Sequence, residues 1–97
     1  MGESMPSMGM PDDVMRRLES EAHDCYGWSN GPDARYAAHS HAYEKVLYCV
    51  SGSITFLLAA DGTEVRIGPG ERLVLAPGTV HSAVVGSTGV HCVEGRR

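Results

Sequence analysis

Phenylalanine and tryptophan occur once each among 97 residues, against 12 glycines. That scarcity of large aromatics, with a hydrophobic share of 42%, argues against a helical chain and fits a small sheet protein with many tight turns. Cysteines number three, at positions 25, 49 and 92. Odd in count and widely spaced, they do not look like a disulfide framework or a Cys-x-x-Cys metal or redox pair, and a reducing cytoplasm is their simplest setting. Basic residues are outnumbered 8 to 12, and the formal charge of -4 excludes a broad basic face for nucleic acid. No apolar run has the length of a membrane span. Residues 1–10 contain neither a basic nor an apolar block, so they do not read as a signal peptide; their methionines are assigned to a disordered leader rather than to soft-metal binding.

Residues 11–97 are enough for one domain. Between residue 11 and about 23 the pattern is helical. Asp12 is placed as N-cap, Asp13 in the first turn, and Val14, Leu18 and Ala22 recur at four-residue spacing as a docking face. Arg16, Arg17, Glu19 and Glu21 are assigned to a solvated outer side and His23 to the surface. Tyr26 and Trp28 are expected to pack between this helix and a sheet.

Beyond Asp24, short runs of Val, Ile, Tyr, Leu and Thr alternate with glycine-containing turns. Eight strands are expected, over 25–29, 35–41, 45–50, 53–59, 64–67, 72–75, 81–85 and 89–93. Asp61-Gly62 signals a two-residue hairpin, Ser51-Gly52 a weaker one, and Gly68-Pro69-Gly70 a break in the sheet. Eight short strands of this kind suggest an all-β jelly-roll barrel.

His39 and His41, one residue apart, project to the same side of a strand. His81 follows the turn sequence Ala76-Pro77-Gly78-Thr79-Val80, which can present a third imidazole from a distant strand. Three imidazoles suit a divalent transition metal such as Fe, Mn, Ni or Zn. Alternation puts Tyr43, Lys45, Leu47 and Cys49 on the histidine side and Glu44, Val46 and Tyr48 on the other. A bulge at Ala42-Tyr43 would reverse this and bring Glu44 inside. Cys49 is read as core packing, and His91, without a motif partner, as structural.

The segments from His39 to Gly52 and from Gly70 to His81 resemble the two sequence motifs of the cupin superfamily. The first motif is matched at His39, His41 and Gly52, the second at Gly70, Gly78 and His81. Four positions depart from the pattern: Asp33 stands for a Gly, Lys45 for the Glu ligand, Ala76 for a Pro and Val85 for an Asn. The resemblance covers roughly residues 24–94. It implies a cupin-type jelly-roll barrel with a short N-terminal helix and a metal held by His39, His41 and His81.

An ammonium where a carboxylate ligand is expected raises the charge of such a site by two units, on the order of 4 kcal/mol per unit pair some 4 Å apart at an effective dielectric near 20. Four outcomes follow for Lys45: it sheds its proton, pairs with a carboxylate such as Glu44, holds an anionic substrate against the metal, or weakens metal binding so that the pocket is empty or takes an organic anion alone. The expected function is that of a metal-dependent oxygenase or isomerase acting on a small anionic metabolite, with Lys45 and Tyr43 as acid, base or anion-holding groups. The alternative is a non-catalytic barrel that binds a sugar or anionic metabolite. Exposed sheet edges lead to the expectation of a homodimer, with residues 25–29 as the candidate pairing strand.

Overall fold

The computed structural model describes residues 11–97, without the side chains of Pro11 and Asp12. The expected leader and the capping role of Asp12 lie outside the described residues. One helix, α1 (Pro11–Glu19), precedes six strands: β1 (His23–Asn30), β2 (Arg35–His39), β3 (Lys45–Leu58), β4 (Glu64–Ile67), β5 (Arg72–Leu75) and β6 (His81–Arg96).

Two long strands replace the four short ones expected over 45–59 and 81–93. β3 and β6 pair antiparallel along their whole lengths, with register shifts between Cys49 and Ser51 and between Gly52 and Ile54. The first adds one residue to β3, a bulge, and the second sets residues 86–89 of β6 against Ser53 alone; together they bend the ribbon. Ahead of the bend β3 is flanked by β5, and beyond it by β4; β6 is likewise flanked by β2 and then β1. The bend thus divides one sheet into two four-stranded halves, ordered β5-β3-β6-β1 and β4-β3-β6-β2. This is the jelly-roll.

Ser51-Gly52 is therefore a corner within a strand and not a hairpin. Gly52 has φ 74°, and a Cβ placed on it would lie inside the backbone of Gly89, 2.8 Å from its carbonyl carbon. No L side chain fits that conformation and that gap together. Gly52→Ala is expected to destabilise the fold by at least about 3 kcal/mol, seen as a collapsed chemical-denaturation midpoint; a change under about 1 kcal/mol, the size of an ordinary point mutation, would mean that the corner is not pinned by this contact. The Asp61-Gly62 hairpin forms between β3 and β4, with a longer loop than expected over residues 59–63, and Gly68-Pro69-Gly70 separates β4 from β5.

Bulges also switch which residues face inward. Leu47 and Cys49 ahead of the bend, Ile54 and Phe56 beyond it, and Ala83, Val85, Val90 and Cys92 on β6 make up the core between the two halves. A second core forms outside, where Val14 and Leu18 of α1 pack on Val46, Tyr48, Val50 and Val93. The helix docks as its four-residue spacing predicts, although it ends at Glu19. Tyr26 and Trp28 do not share that layer. Asp24 adopts a positive φ of 54° and the β1 register shifts after His23, which turns Cys25 toward the helix and Trp28 into the barrel.

Glu21 likewise departs from its expected solvated role. Its carboxylate accepts hydrogen bonds from Tyr48, Arg72 and Arg97, tying the end of the helix segment to the sheet. The Arg72 guanidinium holds this carboxyl below its ordinary value, so the contribution is present above the unfolded value near 4.5 and lost as pH falls through the folded one. Since both arginines are more than a third exposed, Glu21→Gln is expected to cost only about 1 kcal/mol. Denaturation across pH checks this: the gap between wild type and variant should close below pH 4.5, and a gap that persists at lower pH contradicts the assignment.

Candidate metal centre and cavity

His81 opens β6 opposite both Leu58 of β3 and His39, the last residue of β2. His41 lies beyond the end of β2 rather than within it. Its position is fixed instead by backbone: the Gly78 N–H donates to the His41 carbonyl at 2.7 Å. The turn over residues 76–79, closed by Thr79 N–H on Ala76 O at 3.2 Å, therefore holds both motif segments together. Gly78 takes φ 79° in this turn. Asp33, which stands for the first motif glycine, takes φ 62°, a conformation that short polar side chains tolerate, so that substitution leaves the glycine-type backbone in place.

The three imidazoles converge as expected. Ring centroids are 4.9 Å apart for His39 and His41, 4.4 Å for His39 and His81, and 5.4 Å for His41 and His81. One ligand nitrogen from each lies within 4.8 Å of the others. Nitrogens bound at about 2.1 Å to one ion are at most about 4.2 Å apart, so small side-chain rotations bring the set to coordinating distance.

Hydrogen bonding selects the ligand atoms. Nδ1 of His39 is 2.9 Å from the Ala37 carbonyl and Nδ1 of His81 is 2.9 Å from the Thr79 carbonyl. Each Nδ1 thus carries the proton and leaves the Nε2 lone pair free. Nε2 of His81 and of His41 are buried without a hydrogen-bond partner among the described residues. Burial, and then the neighbouring Lys45 and histidine charges, push the His41 value down; His81 is lowered chiefly by burial. Neutral rings with orphaned, inward Nε2 atoms are the donor set that a divalent transition metal takes.

Parity places Lys45 inside and Glu44 outside. Glu44 bonds Arg97 at 2.7 Å on the outer face, so no bulge brings it into the barrel. The counter-charge comes from Glu94 on β6, a residue that the sequence alone does not single out. Its Oε1 is 3.3 Å from Lys45 Nζ and accepts Trp28 Nε1–H at 2.8 Å, while Oε2 accepts the Tyr26 hydroxyl at 2.8 Å. Burial, then the Glu94 bond, pushes the Tyr26 phenol up to about 12, which keeps it a donor. The signal available is strand parity: Val90, Cys92 and Glu94 share one side.

Between these groups lies a cavity of about 330 Å³. Histidines 39, 41 and 81 with Lys45 and Glu94 line one part; Tyr26, Trp28 and Tyr36 form an aromatic wall with Asn30 beside it, and Ile54, Phe56 and Ala83 an apolar one. Trp28 and Tyr36 meet edge to face at 5.7 Å, and Asn30 bonds the Tyr36 hydroxyl. Tyr43 is not among the lining residues. Its ring stands 5.0 Å from that of His41 and is covered by the Arg96 guanidinium at 4.1 Å.

No match was found among curated proteins. Solved structures share the fold: an RmlC-like cupin from Shewanella frigidimarina (TM-score 0.65, 22% identity, covering 74% of this chain and 62% of that one), the DMSP lyase DddQ from Ruegeria pomeroyi (0.68, 20%, 75% and 36%) and the polyketide cyclase RemF from Streptomyces resistomycificus (0.67, 23%, 74% and 52%). The chain spans only about one to two thirds of their lengths. Among the described residues no helix is long and apolar enough to cross a membrane. Residues 22–93 match the family model described as the AraC-like ligand binding domain. With its jelly-roll halves, its two motif segments and its histidine cluster in one barrel, the chain belongs to that cupin-like family.

Proposed function

We propose that the chain holds a divalent transition metal through His39, His41 and His81 and binds beside it a small anionic metabolite, as a metal-dependent oxygenase or isomerase on a single barrel. The observation that carries this reading is the pair of buried, partnerless Nε2 atoms on His41 and His81 within one cluster. Bound metal supplies Lewis acidity or, for a redox-active ion, electron transfer.

The chain's own groups bind and orient. Lys45 has three N–H donors, and Glu94 compensates its charge, so a substrate carboxylate meets a donor whose burial is already offset. A divalent ion with neutral imidazoles and this ion pair leaves about +2 at the site, which favours an anion. Trp28, Tyr36, Ile54 and Phe56 exclude water from the substrate's remaining surface. Tyr43, wedged between His41 and Arg96, fixes the His41 ring plane.

A second reading, binding without turnover, is favoured by the match to a ligand-binding family. Metal analysis of the purified and reconstituted protein, with oxygen uptake and isomerisation measured on a panel of small carboxylates, separates the two. Turnover that disappears in His41→Ala supports the enzyme. A ligand-induced melting shift without turnover replaces it with the binding module, and failure to acquire metal overturns the metal site in both. Homodimerisation through the outer edge of β1 belongs to the same proposal and is checked by light scattering.

A further inference from the structure

Cys49 and Cys92 take no part in the site, yet they lie directly opposite each other on β3 and β6 and both are fully buried. Their pairing type follows from the neighbouring ladder. The Cys49 N–H donates to Glu71 O at 3.0 Å and its carbonyl accepts from Gly70 N–H at 2.8 Å, both on the β5 side. In an antiparallel sheet a residue directs its N–H and C=O to the same neighbour, so toward β6 this is the non-hydrogen-bonded pair. Such pairs have Cα atoms about 4.5 Å apart with the side chains drawn together, within the 4.4–6.8 Å range that a disulfide spans, roughly.

We propose that Cys49 and Cys92 form a peroxide-sensitive thiol pair that closes into a cross-strand disulfide between the two long strands of the barrel. Access selects the oxidant. The Cys49 sulfur sits under the bulged corner, 3.3 Å from Ser51 O and 3.6 Å from Gly52 O, where Ser51 is exposed and the ladder is interrupted. A local opening there admits hydrogen peroxide and excludes bulkier disulfides.

Cys49, whose sulfur lies at the interrupted ladder beside the exposed Ser51, is the thiol that an opening of the corner uncovers, and it acts as the nucleophile. Its thiolate attacks one peroxide oxygen, the O–O bond breaks, and a sulfenic acid forms as hydroxide leaves and is protonated to water. The Cys92 sulfur then attacks the sulfenic sulfur, the S–O bond breaks, and a second water leaves. In total two thiols lose two electrons and two protons, and one peroxide becomes two waters. The new bond lies one rung below Glu94, which faces Leu47 on the next inward pair. Cys25 is excluded as a partner because it packs in the helix-side layer, with Sγ 3.5 Å from Ala22 O.

The test uses the full chain carrying Cys25→Ser, with a chelator present so that no bound metal reacts with peroxide. After treatment, quenching, denaturation and alkylation, the expected result is no alkylatable thiol where two were present before, and in a non-reducing peptide map a Cys49–Cys92 cross-link, lower by two hydrogens than its two peptides together, that dithiothreitol reverses. In wild type the same cross-link should form with Cys25 outside it. Cys92→Ser should instead accumulate a dimedone-trapped sulfenic acid at Cys49. Oxygen added at Cys49 or Cys92 in place of lost hydrogen, two persistent thiols, or a link between chains would overturn the proposal.

Discussion

Glu94→Ala is expected to lower the stability of the fold by about 3–5 kcal/mol, the range for a buried ion pair that loses one partner. The pair is closed: Lys45 and Glu94 side chains are 9% and 6% exposed. Removing the carboxylate strands an ammonium inside the barrel and leaves the Trp28 N–H and Tyr26 hydroxyl without their acceptor. For a chain of this size such a loss lowers Tm by at least about 12 °C. Lys45→Ala should cost a similar amount from the other side, and Lys45→Glu more, since it sets a second carboxylate against Glu94. The informative comparison is the double variant, Lys45→Met with Glu94→Leu. Charge and desolvation both vanish in it, so it is expected to be more stable than either single variant, though short of wild type because the two donors stay unsatisfied. Denaturation of wild type, the single variants and the double variant checks this. Single variants within about 0.5 kcal/mol of wild type, the effect of an ordinary surface change, would show that the pair is not closed in solution.

This ion pair marks where the sequence stops being readable. Period-two alternation counted from His39 places Lys45 inside, and the alternation is local, so one segment suffices to see it. Its partner is not local. Glu94 reaches the same space only because β6 runs on past residue 93 and pairs with the first half of β3, and nothing around Lys45 announces that. The long strands are obscured for a related reason. A glycine of positive φ reads alike in a hairpin and in a bent strand; what makes Gly52 a corner is the Gly89 backbone against it. Trp28 falls in a different layer from the expected one because its face is decided by the left-handed Asp24 and the register shift beside it. The histidines are legible because their turn chemistry is written next to them. Gly78 in particular both permits the turn and donates to His41.

His81→Ala is expected to lower metal affinity by more than about 100-fold, since even the loss of a group supporting a ligand costs 10–100-fold, roughly. His81 is the most buried of the three, its Nδ1 is fixed on Thr79, and its Nε2 has no partner among the described residues. Apo stability and metal affinity respond differently, which makes the substitution diagnostic. In the apo protein the change removes a buried nitrogen that is unsatisfied and opens a gap beside Phe56, whose ring is 6.1 Å away; these oppose each other, and the expected net cost is about 1 kcal/mol. With metal the two proteins separate. At a metal concentration about 100 times its Kd, wild type gains about 2.7 kcal/mol from binding the native state alone, and His81→Ala should gain almost none of it. Replacing His23 or His91, which lie outside the cluster, should leave the gain intact. Melting curves with and without metal for wild type and these variants measure it directly. Equal gains in wild type and His81→Ala would place the ion elsewhere on the chain and leave the orphaned nitrogens of the barrel without a role.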